Sequence, residues 1–194
     1  RGAARAAATA EARPGPARRQ LDLAAAAIGE QPRRAAMLAI AAQFDLPACT
    51  DILLAADEAQ LIAIGRNLLE LDATHPAYAW HFQRALWTAL VPGLQREELP
   101  PGLRAAVIRQ LGAVAGEPTV LLLHLQASPD AAAFAVTLRD ENGFALDDRD
   151  PVLRVQAHAW LGRHGTEVAG YDPLAAEPLR SEALRAHRRA EAAR

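Results

Sequence analysis

The sequence contains no lysine and a single cysteine, and aromatic side chains make up 5% of its 194 residues. Without lysine the phosphate-binding loop GxxxxGK[ST] cannot be built, and neither GxSxG nor HExxH occurs. Cys49 alone can form no internal disulfide and no cysteine-ligated metal site. Set in an apolar stretch, it reads as a small buried hydrophobe. No apolar run approaches the ~20 residues needed to cross a membrane. Basic surplus is also missing: the net charge is -2, which runs against nucleic-acid binding. Every positive side chain other than histidine is arginine, as codon usage in a GC-rich genome would produce. The chain opens on Arg1 rather than Met, as a fragment or processed product would.

What is present is alanine and leucine, with few β-branched residues, a balance that favours helix over strand. The chain is long enough for one domain or one compact repeat array. Residues 1–16 end in Arg13-Pro14-Gly15-Pro16 and read as a flexible lead-in. Leu21, Ala24, Ala25 and Ile28 make one apolar face, closed by Gly29. Gln31-Pro32 opens the next helix, with Met37, Ile40, Ala41 and Phe44 on one side and Arg33 and Arg34 outside. These two helices suit a hairpin.

Further helices are predicted over 48–56 and after Asp57, whose spacing to Gln60 is that of a capping box. Thr74-His75-Pro76 reads as a turn, and a helix bearing Trp80, Leu86, Trp87 and Leu90 stops at Pro92-Gly93. A helix over 103–115 precedes VLLLHL, 120–125, read as a short, fully buried helix. Ser128-Pro129-Asp130 starts another, leading to Phe134, Val136 and Leu138, and Asn142-Gly143 reads as a turn. About ten such helices suit stacked antiparallel pairs.

One stretch organises the rest: Asp147 to Gly165, DDRDPVLRVQAHAWLGRHG. Asp150 stands where an N-cap belongs and Pro151 at the first helical position, where its missing N–H costs nothing. Leu153, Ala157, Trp160, Leu161 and His164 fall on one side at helical spacing, and Gly165 can end the helix. The pattern has an upstream copy: Leu103-Arg104 and Leu111-Gly112 precede Leu153-Arg154 and Leu161-Gly162 by the same interval. The shared slot predicts leucine in the inter-helix core, arginine reaching solvent near the acidic turn, and glycine admitting a close neighbour.

Asp150-Pro151, Arg154, Ala157, Ala159 and Leu161-Gly162 resemble the second helix of a HEAT-type repeat. The tail Gly170-Tyr171-Asp172-Pro173-Leu174-Ala175, with Arg180, Ala183 and Arg188, is similar to the closing segment of some bacterial HEAT-repeat proteins. The resemblance covers roughly the last half of the chain and implies an all-α, α-solenoid fold of stacked antiparallel helix pairs. It also implies a division into the lead-in, a helical repeat domain over 17–166 and a capping segment over 167–194.

No set of catalytic groups emerges. His75 and His81, like His158 and His164, are six apart and fall on different helix faces, which gives no shared metal. Asp147, Asp148 and Asp150 lack the alternation and distal glutamate of a calcium loop and read as an inter-helix turn. Trp80, Trp87 and Trp160 sit in helix stripes, where tryptophan serves core packing. No cofactor is called for. The expected function is therefore a non-enzymatic scaffold holding a protein or peptide partner on a concave face. Arg104, Arg109, Arg154 and Arg163 are the candidate binding residues, since arginine is favoured at interfaces. HEAT-like folds also include chromophore lyases and a DNA glycosylase class. A glycosylase would need a basic channel with exposed aromatics near a carboxylate.

Overall fold

A computed structural model describes residues 29–71 and 77–193, with Arg19, Asp22, Ala26 and Ala27 beside them. The expectations for the lead-in and for the turn at 74–76 fall outside these residues, and that for the helix over 21–28 has only Asp22, Ala26 and Ala27 among them. Among the described residues the chain is all-α, with no strand. Its helices are α1 (Glu30–Gln43), α2 (Pro47–Ala55), α3 (Glu58–Leu69), α4 (Tyr78–Gln95) and α5 (Pro101–Leu111). A 3-10 turn (Gly112–Gly116) follows, then α6 (Pro118–Ala127), α7 (Ala131–Ala145), α8 (Pro151–Arg163) and α9 (Glu177–Ala192). No single described helix is long and apolar enough to cross a membrane.

Proline starts four of these helices outright: Pro47, Pro101, Pro118 and Pro151. Its fixed φ suits the first helical position, and its missing N–H leaves one orphan donor fewer there. Side-chain caps do the same work elsewhere. Asp57 and Gln60 complete a reciprocal capping box at the start of α3, and Asp130 accepts from the Ala133 N–H at 2.8 Å. Cap and first-position proline coincide at Asp150-Pro151, where the carboxylate accepts from the Val152 N–H at 2.8 Å. The helix start that sequence places at Ser128-Pro129 thus begins after Asp130, and Ser128 closes α6 instead.

Three of the proline-started helices stack side by side: α2 packs on α5, and α5 on α8. The partner helices form a second set of contacts, α1 with α3, α3 with α4 and α4 with α6, while α7 packs on α8. Met37, Ile40, Cys49, Ile52, Leu61, Leu68, Leu86, Leu103 and Leu111 lie between them with essentially no exposed surface. Each large aliphatic chain so placed contributes about 1.5–3 kcal/mol. The 3-10 turn touches α5, α6, α7 and α8 and is the crossing point of both sets.

Four local expectations differ from the structure. The helix expected over 103–115 ends at Leu111, because Gly112 takes φ 65 and ψ -138, outside any helix. Asn142-Gly143 is not a turn but part of α7. Asn142 is fully buried: its amide donates to the carbonyls of Leu111 and Leu138 and its oxygen accepts from the Ala113 N–H. α4 runs through Pro92 and Gly93 to Gln95, with Leu99 folded back onto Gly93. VLLLHL is helical but not fully buried, since Leu121 and Leu125 face the core and Leu123 is 59% exposed.

Candidate functional site

Arginine has two uses in this molecule, and they separate the four candidate residues. Arg154 is buried, at 7% exposure, contrary to the solvent-reaching position expected of its slot. Its Nε donates to the Pro173 carbonyl at 2.8 Å, and its Nη1 donates to those of Asp148 and Arg149 at 2.9 Å. A guanidinium presents several donors in a rigid plane, so one side chain ties the tail to the acidic turn. Arg34, expected outside, does the same for the end of α2, donating to the carbonyl of Leu53 in its last turn and to that of Ala56 at its C-cap.

Arg109 and Arg163 are exposed and belong to one polar ladder across the α2–α5–α8 row. Gln110 donates to Asp51 at 2.9 Å, and Arg109 stands 3.6 Å from the same carboxylate oxygen. The Trp160 indole donates to the Gln110 carbonyl and Arg163 to the Arg109 carbonyl, both at 2.9 Å. Arg104 lies elsewhere, in a separate hollow of about 240 Å³ with Glu97, Glu117 and Asp150. Its own ion pair with Glu97 is exposed and spans 4.0 Å. The structure therefore brings together Arg109 and Arg163 but not Arg104 or Arg154.

Next to that ladder lies a feature that sequence reasoning did not find. Ala131, Ala135, Leu138, Arg139 and Gly143 share one flank of α7 at helical spacing, and two hollows follow that flank. The first, about 360 Å³, is walled by Trp87 of α4, Gln110 and Leu111 of α5, Phe134 of α7 and Trp160 of α8. The second, about 590 Å³, continues past Phe144 to Val168 and to Leu184, His187 and Arg188 of α9. Arg139 and Thr166 line both, so the two hollows lie side by side along α7 with these residues at their junction. The volumes fall within the ~300–1,000 Å³ of ligand-holding clefts.

The floor of the first chamber is aromatic and fixed. Trp87, Phe134 and Trp160 are nearly fully buried, and Trp80 packs on Phe134 with ring centroids 5.4 Å apart. The His164 imidazole stacks on the Trp160 indole at 3.8 Å, and its Nδ1 lies 2.8 Å from the Trp160 carbonyl. The ionisable side chains lining this chamber are Arg139 and His164, with no carboxylate among its walls. Cys49 is close in sequence to Ala48 of the wall but fully buried, and burial pushes its thiol up to about 12. It is therefore a packing residue and not a nucleophile.

Among the described residues, no three His, Cys, Asp or Glu side chains converge as metal ligands would. The arrangement offers an apolar chamber with no acidic wall, a cation at its exit and a longer open trough that also carries Asp140 and the His187–Glu191 pair, 3.4 Å apart. No protein-family model, no curated protein and no solved structure matches the chain.

Proposed function

We propose that this chain is a non-enzymatic helical scaffold of the HEAT-like α-solenoid type, and that it binds a protein or peptide partner in the groove along α7. The observation that carries the reading is the adjacency of the two hollows along α7, which share Arg139 and Thr166 and which we read as one groove. A groove running from Ala131 to Phe144 is about 20 Å long at ~1.5 Å rise per helical residue, which suits a chain segment better than a metabolite. The stacked row α2–α5–α8 supports the solenoid reading, because each proline-started helix repeats the role of the one before it.

A glycosylase-type or lyase-type alternative has less to stand on. Its aromatics should be exposed beside a carboxylate, whereas Trp80, Trp87 and Trp160 are buried and the aromatic chamber has no acidic wall.

The test is affinity capture from a cell extract by the full chain and by an Ala135→Trp variant, whose indole fills the first chamber. The expected outcome is a discrete protein held by the wild type and lost by the variant. Identical captures by both forms would overturn the assignment to this groove. A mixed-sequence DNA duplex serves as the second probe, and affinity that climbs steeply as salt falls would favour the nucleic-acid alternative.

A further inference from the structure

We infer that the groove selects an acidic peptide segment: an extended stretch with a bulky apolar side chain in the Trp87–Phe134–Trp160 chamber and a carboxylate against Arg139. The inference rests on the peptide-binding reading above and adds the chemistry of the partner.

Charge complementarity carries it. Arg139 and His164 are the ionisable groups lining the first chamber, and no carboxylate lines it. In the second hollow Arg139, His187 and Arg188 stand with Asp140 and Glu191, and Glu191 is 3.4 Å from His187, so the acidic preference is set at the first chamber and Arg139. The Arg139 side chain is 50% exposed, and its one ion pair, with the adjacent Asp140, spans 4.0 Å. That is too long for a hydrogen bond, so the guanidinium donors face the groove and solvent unclaimed. A carboxylate arriving there gains a charge-assisted, bidentate contact. The chamber beside it is floored by three aromatic rings and has room for a leucine, phenylalanine or tryptophan side chain. A trough of about 20 Å accommodates roughly six extended residues at ~3.3 Å each.

The same argument turns away two nearer occupants. The chain's own N-terminal stretch carries Arg1, Arg5, Arg13, Arg18 and Arg19 against Glu11, the wrong sign for Arg139. The acidic turn of a second copy is already engaged, with Asp148 accepting from the Asp150 N–H and Asp150 capping α8.

The experiment selects a displayed random-peptide library on the immobilised full chain and counter-selects on Ala135→Trp. Ala135 is exposed, so the variant is expected to keep its helical circular dichroism. If it unfolds, Val136→Glu, at another exposed groove position, replaces it. Peptides held by the wild type alone are expected to carry Asp or Glu within a few residues of Leu, Phe or Trp. Arg139→Glu is expected to weaken a synthetic copy of the best such peptide by about tenfold or more and to strengthen its acid-to-lysine counterpart. Groove-dependent peptides that are neutral or basic would overturn the acidic assignment while leaving peptide binding in place. No groove-dependent peptide at all would overturn both. A dimer in light scattering that Ala135→Trp dissociates would hand the groove to a second copy and end the proposal.

Discussion

The indole nitrogen of Trp160 donates to the carbonyl oxygen of Gln110 across an interval of 50 residues. The same interval separates Leu103 from Leu153 and Leu111 from Leu161 in the sequence. The spacing therefore reappears as a physical bond between α5 and α8. Trp160→Phe keeps the ring and removes the donor. It is expected to lower stability by about 1–2 kcal/mol, the scale of one lost hydrogen bond with its acceptor left behind. The check is the urea midpoint at unchanged slope.

Two glycines that share a slot should respond with opposite sign. A Cβ on Gly112 would lie 2.0 Å from the Asn142 side-chain oxygen, in a backbone with φ 65. Gly162 is inside α8, and a Cβ there meets nothing within 4 Å. Gly112→Ala is expected to cost about 3 kcal/mol or more through clash and backbone strain. Gly162→Ala is expected to stabilise by about 0.5–1 kcal/mol through helix propensity. Thermal unfolding of the two variants decides it, and equal effects would remove the role assigned to Asn142.

Arg154→Lys keeps the charge and loses the fork. A lysine ammonium cannot reach the Pro173, Asp148 and Arg149 carbonyls together in the planar arrangement that Arg154 adopts. The expected loss is about 2 kcal/mol, with the 166–176 segment becoming the first site of limited proteolysis. Wild-type stability in this variant would mean that the tail is held by other contacts.

Alkali should unfold this protein in a defined window. Burial holds the Cys49 proton more tightly in the folded chain than in the unfolded one, so raising the pH strips the unfolded ensemble first and favours it. The contribution is intact below pH 9.0 and is lost progressively up to about 12, a change on the order of a few kcal/mol. Burial also raises the Tyr171 phenol above its ordinary 10.0, with nearby Arg154 and Arg180 opposing, so its loss begins higher in the same range. Cys49→Ala is expected to flatten the lower part of this decline in denaturant titrations stepped through pH. A slope unchanged by the substitution would discount the thiol.

Local signals were legible where the chemistry is local. The Asp57–Gln60 box and the Asp150-Pro151 start each depend on neighbours within one turn, and both form. Asn142-Gly143 misleads because the pair commonly marks a turn, whereas the partners that hold Asn142 in a helix lie at 111, 113 and 138. Pro92 misleads for a related reason: Leu90 and Val91 are buried, and tertiary packing carries α4 through a residue that breaks isolated helices. Arg154 carries no mark in sequence that distinguishes it from the exposed Arg104 one interval earlier. Its burial follows from a tail that Arg104 does not have beside it. The groove was invisible for the same cause, since one wall is α7 and the other is assembled from α4, α5, α8 and α9. The faint sign was the small-residue flank Ala131, Ala135 and Gly143.

Of all the side chains of α9, Leu184 alone is buried, and the helix stands outside the network of closely packed neighbours. Its apolar mooring is chiefly Leu184, with half-buried Ala183 beside it, on the order of 2–3 kcal/mol and well short of unfolding the stack. The far bank of the second hollow is consequently expected to lift before the aromatic pit does. On the peptide reading proposed above, the side chain seated in the aromatic pit would be chosen more strictly than the stretch lying against α9.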